Sequence, residues 1–401
     1  MIAAAAALFA ITVAREAALR ASCDASDQAV ATVPAGTPVE IRFAVSDGSN
    51  CYKIAASVDG KPVLGYVDGS ALSSTQTFDD QRRGGASLDG ISQSRAITAG
   101  FTARVDLKNS NANAVVELLN SHQPARALDQ ADALLKTNPR DPNLLMMASV
   151  AAYQSDDIRR ALSYCRDALA LKDDPTVVNF CRTVERESKN DKSGEKLVGM
   201  RVVLRYEDQT LPADVARTML GVLDEEFSRI SEQLGCQTEE RITAVVQSRE
   251  AYRATTNAAE WSGGQYDGRI HVALLEGANF GAQTRRAFAH EIVHACLANI
   301  GRFPAWLHEG LAQKLSGETL SPAARSQLAQ IIAAGGVPRL EAIGQNWQSL
   351  STQGARVAYG VALLAVDTLF DQYADYGIRN LLHNPEMLAR VTAGVDKTLG
   401  L

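Results

Sequence analysis

The sequence predicts a multi-domain α+β chain. Three observations predict it. Short alternating apolar runs with turn residues between them occupy positions 23–74. A helical period with an internal repeat occupies 112–188, and from 197 onward strand-like runs alternate with longer helical ones. With 401 residues, 46% of them apolar, the chain can fill two or three separate cores. A formal net charge of -6, with no Lys/Arg-rich run, gives no electrostatic reason for a nucleic-acid partner, and that class is set aside.

The chain opens on an uncharged apolar run, 1–14, before Arg15. The run suits the central part of an export signal and falls short of the roughly 20 residues that span a bilayer. The expectation is a signal-like segment at 1–22, no stable membrane span, and a periplasmic or secreted protein. The positive residues that usually begin such a signal are missing. Arg20, shortly before Cys23, stands where a lipoprotein signal needs an aliphatic residue, which argues against a lipid anchor. Six cysteines fall two to a region, Cys23 with Cys51, Cys165 with Cys181 and Cys236 with Cys296, and no CxxC occurs. Pairing within regions fits an oxidising compartment; six free thiols is the alternative the sequence leaves open.

Within 23–74, the runs at 39–43, 52–54 and 64–67 are strand-like, and Pro34-Ala35-Gly36, Ser46-Asp47-Gly48 and Asp59-Gly60-Lys61 are turns. The order of Gly36, the Tyr52-Lys53-Ile54 strand and Gly65-Tyr66-Val67 resembles bacterial SH3 domains. That resemblance implies a small β-barrel, with a cell-wall peptide as a possible partner or a plain spacer role. Residues 75–111 are polar and glycine-rich and read as linker.

In 112–188, Ala127-Leu128 and Leu135 recur 34 residues on as Ala161-Leu162 and Leu169, the period of a helix-turn-helix repeat of tetratricopeptide type. Pro139, Pro142 and Pro175 fall at predicted helix ends. About two units are visible, fewer than independent stability usually needs, so they should pack on their neighbours, as spacer or as binding surface for a partner segment.

From 197 to 401 the predicted order is strand 200–206, helix 212–234, strand 241–247, strand 268–274 and then the helix that opens the stretch "AFAHEIVHACLANIGRFPAWLHEGLAQ", 287–313. On that helix His290 and His294 are i and i+4, which places both imidazoles on one face. They can share one ion. Glu291, rotated about 100° from His290, can reach a water on that ion without ligating it. Zinc hydrolysis needs this division: the ion brings the pKa of its water to about 7 and polarises the scissile carbonyl, and the carboxylate takes the proton. Tetrahedral zinc wants a third protein ligand. A metzincin would carry Gly at Leu297 and His at Ile300, so that class is excluded. A second helix, 304–316, offers His308 and Glu309; Gly301 and Pro304 mark the turn before it, and Gly310 would let the two helices approach closely.

HEIVHA followed by WLHEGLAQ resembles the gluzincin metallopeptidases, most closely the peptidase MA-like family, which pairs HExxH with W-x-x-E-G-x-A. The resemblance covers about half the chain, and it implies a zincin-type α+β domain with a helical C-terminal part. It also implies Zn²⁺ held by His290, His294 and Glu309, Glu291 as general base, and a peptide or protein substrate. His308 either backs the ligands or faces solvent. The strand at 266–274 falls where zincins place the edge strand that pairs with substrate, so His271 is a candidate substrate contact and is expected to be partly exposed. The helix around "ARVAYGVALLAV" resembles the family's tyrosine-bearing helix and makes Tyr359 the candidate oxyanion donor. His383 reads as a loop histidine. HExxH alone fixes only three positions, so the metal reading rests on the added glutamate, the preceding strand and the helix pattern. Two alternatives stand beside the peptidase: a cell-envelope binding or scaffold protein that keeps zinc without turnover, and an adaptor whose N-terminal half carries the function.

Overall fold

A computed structural model of the protein describes residues 11–22, 26–44, 50–58, 60–73, 110–172, 175–191, 193–257, 263–274, 280–343 and 352–401. The architecture is mixed α+β. It holds a five-stranded antiparallel sheet, a run of antiparallel helices, and a five-stranded mixed sheet packed among helices.

The first sheet has the order β2-β1-β5-β4-β3, from β1 (Ala17–Arg20), β2 (Ala29–Val33), β3 (Val39–Ala44), β4 (Cys51–Val58) and β5 (Lys61–Asp68). Leu19, Val33, Ile54 and Val67 fill its core. A Cβ at Gly65 would lie 2.7 Å from Leu19 Cβ, so only glycine lets β5 come this close to β1. Two expectations are corrected here. The all-β unit begins before residue 23: Val13 is buried, Thr12 and Val13 bridge to Pro38 and Leu72, and Ala17–Arg20 pairs with two strands. The described end of the apolar run, 11–14, and the residues after it therefore belong to this sheet, where Val13, Ala17 and Leu19 point into the core. Residues 1–10 lie outside the described residues. The barrel is not closed either, since β2 and β3 end the sheet without pairing to each other among the described residues. Ala29, Val30 and Thr32 on β2 are exposed, so that strand has no second apolar face to bury.

Five helices follow, α1 (Ser110–Asn120), α2 (Pro124–Leu135), α3 (Pro142–Gln154), α4 (Ile158–Leu171) and α5 (Pro175–Asn190). The repeated alanines, Ala127 and Ala161, are both fully buried where successive helices cross. Pro142 opens α3 and the Asp141 carboxylate caps it, accepting from the Asn143 and Leu144 amides. Of the predicted linker, 75–109 lies outside the described residues, and α1 already begins at Ser110.

The second sheet has the order β6-β7-β8-β10-β9, from β6 (Glu195–Val198), β7 (Val202–Tyr206), β8 (Ile242–Gln247), β9 (Gly264–Tyr266) and β10 (Ile270–Ala273). β7, β8 and β10 run parallel, while β6 and β9 are antiparallel edges. α6 (Ala213–Leu234) and α8 (Ala282–Ile300) cover one face, where Leu204, Val246, Ile270 and Val272 meet them in the main core. α7 (Arg249–Thr256) lies against β8 and β10 and also packs on α5, which joins the helical unit to this domain. α9 (Ala305–Leu315), α10 (Pro322–Ala333), α11 (Thr352–Leu382, kinked at Ala374) and α12 (Pro385–Leu399) complete it. Disulfides join Cys165 to Cys181 and Cys236 to Cys296, as region-by-region pairing predicts. Cys51 is also disulfide-bonded, and Cys23 lies outside the described residues. No helix among the described residues is long and apolar enough to cross a membrane.

Candidate metal centre

α8 is buried on nearly every side, which is why its composition lacks a clean polar face. It is held at both ends. Cys296 bonds to Cys236 just past α6, and Arg285 pairs with Glu226 of α6 at 2.8 Å. The same Glu226 takes Arg229 at 2.6 Å, and Arg229 donates to the Leu315 carbonyl at the end of α9 at 2.8 Å. One buried carboxylate thus ties three helices together.

On this frame the predicted ligands converge. The His290 and His294 rings stand with centroids 4.9 Å apart. Glu309, on α9, brings Oε2 to 3.3 Å from His290 Nε2 and Oε1 to 3.7 Å from His294 Nε2. One ligand atom from each residue lies within 4.8 Å of the others, so the three can hold a metal ion. His290 keeps 18% of its side chain exposed against 4% for His294 and 3% for Glu309, so solvent reaches the cluster from the His290 side.

Electrostatics fit a cation site. Burial drives the His294 imidazole down to about 3, which keeps it neutral and able to ligate. Burial also pushes His290 down, but the Glu309 carboxylate outweighs it and carries the ring up to about 9. Burial would raise Glu309, and the two imidazoles hold it below the ordinary carboxylate value. The Tyr359 hydroxyl donates to Glu309 as well. A nearly fully buried carboxylate needs a compensating positive charge, which a bound cation would supply here.

Glu291, next to His290 on the same helix, is buried against β9. A Cβ on Gly264 would fall 2.6 Å from its Oε1. Burial pushes this carboxyl up to about 8, with His290 pulling it down and Glu309 pushing it up. It is therefore a weak acid whose proton affinity a nearby cation would lower.

Three expectations are corrected, on His271, on the edge strand and on Gly310. His271 is 1% exposed and lies on β10, an interior strand, so it is not a substrate contact; its Nε2 pairs with Asp267 at 3.3 Å on the sheet face opposite the ligands. The edge strand is β9, because Asp267-Gly268 turns the chain back and β10 pairs on both sides. Of the two readings of His308, the structure takes the one that backs the ligands and rejects the solvent-facing one: it is buried, its ring 5.6 Å from that of His294. Gly310 serves α11 and not α8: its Cβ would meet the Ala362 carbonyl oxygen at 2.4 Å. Tyr359 is brought to the site as expected, while His383 follows directly on α11.

Sequence reasoning missed Gly264 and Gln313. Gln313 Nε2 donates to the Glu309 and Tyr359 carbonyls at 3.1 and 3.0 Å and so ties the ligand helix to the tyrosine helix. Its position four residues after Glu309 was a usable signal. Gly264 carried only the weaker signal of a Gly-Gly pair before a strand. No family model, curated protein or solved structure matches the chain.

Proposed function

We propose that this chain is a zinc-dependent metallohydrolase of gluzincin type, cleaving peptide bonds with Glu291 as general base. The observation that carries the reading is the convergence of His290, His294 and Glu309 on one point, with a separate buried carboxylate beside them. Zinc bonds of about 2.0–2.1 Å in a tetrahedron put neighbouring donors about 3.3–3.5 Å apart. The 3.3 and 3.7 Å separations come near that spacing, and two imidazoles with one carboxylate are a donor set that suits zinc over the hard, oxygen-preferring cations.

When bound, zinc supplies a Lewis acid and acidifies a water molecule. The remaining work falls to the protein. Glu291 accepts the water proton and delivers it to the leaving amine. Burial keeps the Tyr359 phenol far above its ordinary value, so it stays a hydrogen-bond donor where a carbonyl oxygen gains charge. In this reading the first sheet is SH3-like, the helical run tetratricopeptide-like and the C-terminal unit zincin-like. The two disulfides suit a periplasmic or secreted protein.

The test is zinc stoichiometry of the purified protein and of His290→Ala, followed by cleavage of a peptide library by wild type and Glu291→Gln. One zinc per chain, lost in His290→Ala, and cleavage lost in Glu291→Gln with zinc kept are expected. Zinc retention with no cleavage by wild type would leave a zinc-holding scaffold instead. Absence of transition metal would end the hydrolase reading.

A further inference from the structure

The β9–β10 hairpin, whose Gly264 borders Glu291, is anchored by the helical unit. Its Asp267-Gly268 turn rests on the end of α3. Tyr153 Oη donates to Asp267 Oδ2 at 2.7 Å, and Gly268, at φ +104, stands so close that a Cβ there would come within 2.8 Å of the Gln154 side chain. Arg269 follows and is fully buried. Its Nη2 lies 2.6 Å from Glu187 Oε1 on α5, and its guanidinium lies 5.1 Å from the centre of the Tyr153 ring. Asp156, just beyond α3, adds a second carboxylate 3.6 Å from Arg269. His271 closes the cluster on Asp267. Removing one member of so buried an ionic group leaves another uncompensated, so the turn has little freedom to move.

β9 has only three residues, and among the described strands its ladder partner is β10. Few ladder bonds fix it. Its position follows from its anchored turn, and its far end carries the backbone on which Glu291 lies.

The geometry points to Tyr153, Glu187 and Arg269 as positioning residues: through the 267–269 turn the helical unit sets where Gly264 stands, and Gly264 sets the direction of the Glu291 carboxylate. The helical unit is then a support of the reaction centre, not a spacer. The catalytic side of this inference rests on the hydrolase reading; the mechanical side does not.

Two full-length, zinc-loaded variants test it. Tyr153→Phe removes one hydroxyl and leaves His271 on Asp267. Its kcat is expected to fall roughly tenfold, in line with the penalty for a sub-ångström misplacement of a reacting group. KM should stay within twofold and zinc stoichiometry should not change, while amide exchange over 264–270 becomes faster. Gly264→Ala pushes directly on Glu291 and should lower kcat at least as far, again with zinc retained. A kcat within twofold of wild type in either variant overturns the inference, as does a loss that appears only in KM. If wild type cleaves nothing, the hydrolase reading fails separately and exchange decides: faster exchange in Tyr153→Phe upholds the anchoring, and unchanged exchange overturns it.

Discussion

Gly310→Ala probes how tightly the ligand-bearing helix is held. The added methyl would stand 2.4 Å from the Ala362 carbonyl oxygen and 2.6 Å from Val366 Cγ2, where ordinary contact begins at 3.4 Å. The oxygen belongs to the backbone of α11 and cannot rotate aside, so α9 must retreat by about 1 Å, the shortfall from a normal contact. Overpacking of this kind costs about 1–3 kcal/mol of stability. Glu309 is the preceding residue and moves with the helix. Metal–donor distances tolerate only about 0.2 Å, so a 1 Å retreat should raise the zinc Kd at least about tenfold, equivalent to about 1.4 kcal/mol. Competition with a chromogenic chelator measures the affinity, and urea unfolding of the metal-free protein measures the packing cost. Wild-type zinc affinity would refute the reasoning whatever happened to stability, because it would mean that Glu309 does not travel with the strained contact.

Glu291→Gln should lower peptide cleavage by about 10²–10⁴-fold, the range for a lost general base, with zinc content unchanged; equal loss of zinc would instead make Glu291 structural. Removing the Cys236–Cys296 bond with the double change Cys236→Ala and Cys296→Ala opens a loop of sequence separation 60. In the chain-entropy account this costs about 4 kcal/mol, and a urea midpoint equal to wild type would show that α6 and α8 need no covalent tie. At Glu226 burial raises the carboxyl, but hydrogen bonds from Arg229 and Arg285 outweigh it and hold it below its ordinary value of 4.5. Unfolded, it binds its proton more readily, so its contribution is whole above about pH 4.5 and is lost as pH falls through the lower folded value. Wild type should therefore lose more stability between pH 7 and pH 4 than Glu226→Gln does, and equal losses in urea melts at the two pH values would remove Glu226 from the acid response.

The ligand set could be read from the chain because each half of it is local. His290 and His294 share a helix face by periodicity, and Glu309 lies one short turn beyond on the next helix. The repeated Ala127 and Ala161 were legible for the same reason, since both mark the inner face of a helix. Errors arose where the deciding partner is distant. His271 alternates along its strand with Ile270 and Val272, and nothing in that alternation says that helices cover both faces of the sheet. Gly310 looked suited to the adjacent helix, yet its close neighbour is Ala362. The apolar run at the N-terminus has the composition of a signal, and of its described end, 11–14, Thr12 and Val13 bridge to Pro38 and Leu72 in the first sheet.

Sequence alone determined the donor types, their helical spacing, and the presence of a β unit, a run of helices and a mixed α+β unit, and the structure settled the cysteine pairs 165–181 and 236–296. Tertiary structure decided which strand is the edge, which face His271 takes, and that Tyr153 and Glu187 clamp the hairpin beside Glu291. The physical reason is range: periodicity and turn chemistry act over a few residues. Burial and ion pairing act between groups separated by 114 positions, as Tyr153 and Asp267 are, and only the folded chain brings those into contact.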